Sequence, residues 1–206
     1  MKFQEGEGKF LGVVLDERLN FRCHIDYVSV KVSKALGVLY KLQNYVSEKG
    51  LVNLYYSLVY PHLTYCNLSW GGTSVTHLNP LIVLQKRAIR IITKIGYRDH
   101  TNLKFYESRI LKMHDIHKLQ LAVFLFNVDL SPYQRNHSHD TRNRTALNPF
   151  FNRLTSSQRS LTYSSPMFWN NLPAHVTNVQ SLIVFKRRVK DFLLNFYLNE
   201  QLDIPN

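Results

Sequence analysis

Apolar and polar positions along the chain alternate between two periods. The run Phe10 to Leu15, rich in Val and Leu and broken by one Gly, predicts a buried strand. Asp16-Glu17-Arg18 reads as a charged turn and Leu19 to Phe21 as a shorter returning strand, so residues 1–22 are expected to form a hairpin. From there the period becomes helical. Ile25, Val28, Val32, Leu36, Leu39 and Val46 share a face, and Lys31, Lys34 and Lys41 fall off it. Ser47 to Gly50 breaks that pattern and caps the next, in which Leu51, Leu54, Tyr55 and Leu58 continue until Pro61. Gly71-Gly72 marks a loop.

Leu81, Leu84, Ala88, Ile91 and Ile95 then form the most regular stripe in the chain. Lys86, Arg87, Arg90 and Lys94 occupy a separate arc of about 100°. A further helical stretch covers Asn102 to Asp129, interrupted near Lys112. Ser131 to Asn152, polar and punctuated by Pro132 and Pro149, reads as an exposed linker. Leu161 to Phe168 reads as a short extended segment, and Asn170-Asn171 as a helix stop or turn. A last helix places Leu182, Phe185, Val189, Phe192 and Phe196 on one face. The expected organisation is a hairpin (1–22), a helical domain (23–130), a linker (131–152) and a C-terminal extension with a basic amphipathic helix (153–206). A lone hairpin is marginal in water, so its apolar face needs a helical layer or further strands.

Composition adds a partner class. Hydrophobic residues make up 45% and aromatics 13%, enough for a packed core and unlike a disordered chain. Lys plus Arg number 26 against 14 Asp plus Glu, a formal charge of +12, which implies a polyanion such as a nucleic-acid backbone. No acid occurs from Lys49 to Arg98 or from Thr141 to Lys190, whereas ordinary surfaces mix both signs. A generally basic, solvated surface is the plainer reading of the same charges. Two cysteines, Cys23 and Cys66, make no disulfide framework. The first ten residues carry no signal-peptide core, and no apolar run reaches the roughly 18 residues of a membrane span. The expectation is an intracellular protein, nuclear or cytoplasmic, neither secreted nor membrane-bound.

Catalytic signatures are sparse. There is no Gly-rich phosphate loop, no GxSxG elbow and no HExxH. His114 and His117 can share a helix face but lack a visible third ligand, and His137 and His139 lie in the polar linker. Asp16 and Glu17 are adjacent carboxylates in a turn, whereas a two-metal site needs carboxylates that converge on two ions. Phe168 and Trp169 read as core, with stacking on unpaired bases as the alternative.

Five blocks, taken together and in order, carry a resemblance: "KFLGVVLDERLNFRCHI", "LVNLYYSLVYPHLTYCNLSWGG", "LNPLIVLQKRAIRIITK", "ILKMHDIHKLQ" and "YSSPMFWNNLPAHV…SLIVFKRRVKDFLLNFY". Across about residues 9 to 198 the chain resembles the C-terminal region of jockey-like, LINE-type retrotransposon reverse transcriptases. The resemblance implies a mainly α fold, a helical thumb-like bundle behind a small N-terminal β-hairpin, with palm and fingers upstream. Phe10 to Val13 would lie near the primer-contacting edge of the palm. The family's Tyr-x-Asp-Asp-type loop would also lie upstream, and these 206 residues contain no adjacent Asp pair. The chain is therefore expected to be no enzyme by itself and to hold no cofactor, although the full-length family needs Mg2+. The expected partner is RNA or an RNA/DNA duplex, gripped through its phosphates by Lys86, Arg87, Arg90 and Lys94. Lys186, Arg187 and Lys190 form a second candidate surface, with Arg142 and Arg144 in support. Self-association through an exposed hairpin edge is a further expectation. The rival reading is a helical protein-interaction module with no nucleic-acid role.

Overall fold

The computed structural model describes residues 7–17, 19–128, 130, 133, 146–150, 153–154 and 157–202. It is mainly helical, with one two-stranded antiparallel sheet near the N-terminus. Strand β1 (Glu7–Phe10) pairs with β2 (Val13–Asp16), and Phe10 stands opposite Val13. The turn is therefore Leu11–Gly12, not the expected Asp16 to Arg18, and Leu19 to Phe21 form no strand. Leu11 and Gly12 have φ of 45° and 84°, the mirror-image turn whose twist suits two strands. Leu-Gly lacks the usual Asn-Gly or Asp-Gly signature, which is why the run reads as one strand. Tyr65 donates its hydroxyl to the Leu11 carbonyl at 2.5 Å. A Cβ on Gly12 would come within 3.4 Å of the same ring. Asp16 turns the chain into the first helix instead, accepting the backbone N–H of Asn20 at 2.7 Å and of Phe21 at 3.4 Å.

Helix α1 (Arg22–Leu42) supplies the missing layer. It packs Ile25, Val28, Val32, Leu36 and Leu39 inward, as their spacing predicts, and lies against β2, whose Val13 and Val14 are buried. Val46 falls beyond the end of the helix. Ser47 caps α2 (Glu48–Leu58) by accepting the Gly50 N–H at 3.3 Å, satisfying one otherwise orphaned donor. Pro61 sits in the first turn of α3 (Tyr60–Thr64), where its missing N–H costs nothing. Short α4 (Asn67–Trp70) buries Trp70, whose indole N–H donates to the Tyr65 carbonyl at 2.9 Å. The chain then turns at Gly71-Gly72 into α5 (Val75–Thr93), which packs on α1 and α2. Helices α6 (Asn102–Glu107) and α7 (Met113–Asn127) are separated around Lys112, as expected.

The later part departs further from the pattern. Leu161 to Phe168 is not extended; it lies in α8 (Leu161–Asn170), where buried Ser165 and Pro166 let packing override a weak strand preference. Asn171 caps α8, as the Asn pair suggests. After α9 (Ala174–Thr177) comes α10 (Leu182–Leu202). Its buried side chains are Phe185, Val189, Leu193, Leu194 and Tyr197; Phe192 is only half-buried and Phe196 exposed. No described helix is long and apolar enough to cross a membrane.

The chain divides into two compact units. One runs through Ile116 and resumes at Leu194; the other spans His117–Leu193. In the first, Tyr197 donates its hydroxyl to the buried Asp115 carboxylate at 2.5 Å and accepts the Lys112 N–H at 2.9 Å. In the second, Leu125, Tyr133 and Leu147 form a buried cluster beside Trp169, and Phe126 stacks on Phe185 at 4.5 Å. Most of the expected linker lies outside the described residues, but Tyr133 and Leu147 correct its reading as wholly exposed. The Asn170 amide explains Leu147: it accepts the Leu147 N–H and donates to the Leu147 carbonyl, both at 2.8 Å, standing in for a β partner.

Candidate nucleic-acid interface

A side chain can meet a phosphate only if its helix face is not spent on the core. On α5, with Leu81 taken as zero and about 100° per residue, the buried side chains from Leu78 to Ile92 fall within about 80° on either side. Lys86, Arg90 and Arg87 fall between about 140° and 240°. The buried face is anchored by a polar residue that the apolar pattern passes over. Gln85 donates to the Tyr55 hydroxyl at 2.9 Å and to the Leu111 carbonyl at 3.0 Å, tying α5 to α2 and to the segment before α7. Both Tyr55 and Gln85 are buried, and burial pushes the Tyr55 hydroxyl above its ordinary pKa.

The four expected α5 cations are not equivalent. Lys86 and Arg87 are exposed on the regular helix. Arg90 is half-buried and folds back onto the following loop: it donates to the Asp99 carbonyl at 3.2 Å and lies 5.6 Å from the centroid of the Tyr97 ring. That loop is closed by the Asp99 carboxylate accepting the Gly96 N–H at 2.7 Å, so Arg90 braces a turn. Lys94 is exposed but not on the helix. It is the C-cap residue, in the left-handed conformation at φ 54°, and Ile95 follows it out of the helical register.

On α10, Lys186 and Arg187 are exposed and Lys190 is half-buried. Arg188 donates to the His175 carbonyl. With Leu182 taken as zero, the buried side chains from Phe185 to Tyr197 run from about −60° to +120°, and Lys186 and Lys190 fall among them near +40° and +80°. These cations crowd the buried stripe instead of opposing it. Arg142 and Arg144 lie outside the described residues. The α5 set belongs to the first unit and Lys186, Arg187 and Lys190 to the second, so each is a separate candidate surface.

Charge counting missed Lys9, Lys31 and His62, which gather around one cleft in the first unit. Lys9 and Lys31 precede the first acid-free stretch, and wide separation along the chain leaves no motif. Mg2+, which the resemblance implies for the full-length polymerase, finds no fitting donor set among the described residues. Asp16 and Asp99 spend oxygens on backbone N–H groups, Asp115 accepts from Tyr197, and no three His, Cys, Asp or Glu side chains converge. Trp169 lies against Phe185 at 5.6 Å, which assigns it to the core.

Three curated relatives match part of the chain. The RNA-directed DNA polymerase from mobile element jockey of Drosophila funebris is 35% identical over 91 residues, covering 42% of this chain and 10% of that protein. The Drosophila melanogaster jockey polymerase is 33% identical over 89 residues. The probable RNA-directed DNA polymerase from transposon X-element of the same species is 28% identical over 93 residues. In each case the match covers about a tenth of the relative's length. No protein-family profile matches the chain, and no solved structure matches it significantly.

Proposed function

We propose, from the premise that this chain resembles part of a jockey-type, LINE-type RNA-directed DNA polymerase, that it is the helical thumb-like region of such an enzyme: a holder of the nucleic-acid backbone with no catalytic centre of its own. One observation carries the reading. Lys86 and Arg87 stand exposed on a long helix whose opposite face is buried and pinned by Gln85. Cations fixed in this way offer charge to phosphates without reaching for base edges. RNA and hybrid duplexes are gripped by shape and backbone contacts of this kind. Polymerase chemistry needs carboxylates that hold two metal ions, and this sequence has no adjacent Asp pair. On this reading Mg2+ is bound elsewhere in the polymerase, and the chain works inside the cell, in nucleus or cytoplasm.

Fluorescence anisotropy with an RNA/DNA hybrid tests the proposal. If six phosphate contacts form, affinity falls by on the order of 10³ between 50 and 200 mM salt. Lys86→Gln with Arg87→Gln should lower the salt slope by about 2 and weaken binding roughly 10- to 100-fold, with circular dichroism unchanged. A flat salt response, or equal affinity of variant and wild type, defeats it. The exposed Val30, Val38 and Tyr40 on α1 favour the rival reading of a protein-interaction module. Under that reading, Val38→Asp would abolish partner capture and leave hybrid binding absent throughout. Phe10 and Leu11, at the tip of the hairpin, are 65% and 72% exposed, which supports self-association there. Sedimentation over a concentration series checks it.

A further inference from the structure

The first unit contains a cleft of about 330 Å³ bounded by the hairpin, α1 and α3. Its lining brings together Lys9 from β1, Tyr27 and Lys31 from α1, His62 from α3 and Tyr65 just beyond it. Lys9 Nζ lies 5.4 Å and Lys31 Nζ 4.4 Å from the centroid of the same Tyr27 ring. Two ammonium groups thus gather at one aromatic ring. Among the described residues neither has a carboxylate within ion-pairing distance.

His24, buried at 2% exposure, also lines the cleft. Its Nδ1 accepts the Val14 N–H at 3.3 Å, so the neutral ring carries its proton on Nε2. That Nε2 finds no partner among the described residues. Burial, then the Lys31 charge, lowers the His24 pKa to about 4, and the same two causes pull His62 down. The cleft is therefore a concave site with two ammonium groups and no acid among its described lining residues.

We propose that this cleft binds a phosphate monoester as its dianion, with Lys9 and Lys31 as the two counter-charges. A monoester carries about −1.5 to −2 at pH 7, matching two ammonium groups. A carboxylate, or one diester of a continuous backbone, would leave one of them uncompensated. A terminal group can enter a pocket, whereas a backbone running past presents its phosphates to a convex face such as α5. The ligand is therefore the phosphorylated end of a nucleic acid or a small phosphate ester. The inference rests on the cleft alone and stands or falls separately from the α5 reading.

The test compares one single-stranded oligonucleotide with a 5′-phosphate or a 5′-hydroxyl, by anisotropy on the full chain at fixed salt. The phosphorylated end should bind about tenfold tighter, the scale of one or two charge-assisted hydrogen bonds. Lys9→Gln with Lys31→Gln should erase that preference, Lys31→Arg should keep it, and Lys86→Gln with Arg87→Gln should keep it while lowering affinity for both oligonucleotides. Circular dichroism establishes that each variant folds. No preference in the wild type overturns the proposal, and so does a preference that survives the double Gln variant at Lys9 and Lys31. Calorimetry with inorganic phosphate separates the sources: uptake of free phosphate without preference for the phosphorylated end makes the cleft a simple anion site and refutes the ester assignment.

Discussion

Helices α5 and α10 carry similar basic residues at similar spacing, yet they use them differently. On α5 the core takes one face and Lys86 and Arg87 hold the opposite one. On α10, Lys186 and Lys190 share an arc with the buried stripe of Phe185, Val189, Leu193 and Tyr197. A cation can serve a partner only where its helix has no other use for that face. Half-buried Lys190, beside that stripe, spends its aliphatic stem on packing and presents only its tip. The comparison predicts that charge and stability separate on α5 and remain coupled on α10.

The largest expected effect comes from breaking α10. Phe185 is fully buried between Phe126 and Trp169, so Phe185→Ala should cost the His117–Leu193 unit about 3–5 kcal/mol in urea unfolding. It should also remove whatever Lys186 and Arg187 add to binding; full retention of binding at the destabilised helix would break the comparison.

Acid sharpens the contrast from the side of α5, whose unit contains His24. The folded pKa near 4 lies below the ordinary 6.5, so the fold prefers the neutral ring. That preference stabilises fully above about pH 6.5 and is lost as pH falls towards 4, by up to about 3 kcal/mol. His24→Gln keeps an acceptor for Val14 and should flatten the stability profile in that window. An unchanged profile would remove His24 as the cause.

Smaller effects test the charges directly. Lys86→Gln with Arg87→Gln should leave stability within about 0.5 kcal/mol while binding falls, whereas Lys190→Gln should cost about 0.5–1 kcal/mol through its packed stem. Equal stability losses on the two helices would erase the distinction. Least of all, Lys94→Gly should raise the melting temperature slightly, gaining up to about 1 kcal/mol, because Gly takes the left-handed cap without a Cβ penalty.

How much of this was legible beforehand depended on the reach of each interaction. The inward positions of α1 were readable because 3.6-residue periodicity is a local property. The α5 stripe was readable too, but not Gln85, whose partners lie 30 and 26 residues away. Arg90 read as a free cation because its tie to Asp99 depends on how the chain turns after Lys94. Burial of Leu147 needed the Asn170 amide, and the hairpin turn needed two left-handed residues without the usual turn signature.

The sequence by itself determined that this chain is mainly helical behind a small hairpin, that it is strongly basic, and that it resembles jockey-type polymerases. Period, charge sum and collinear blocks are all written in one dimension. Only the tertiary structure decided which cations remain available and that Lys9, Lys31 and His62 meet at one cleft. Those outcomes depend on which surfaces are buried against one another, and burial joins residues that share no local pattern.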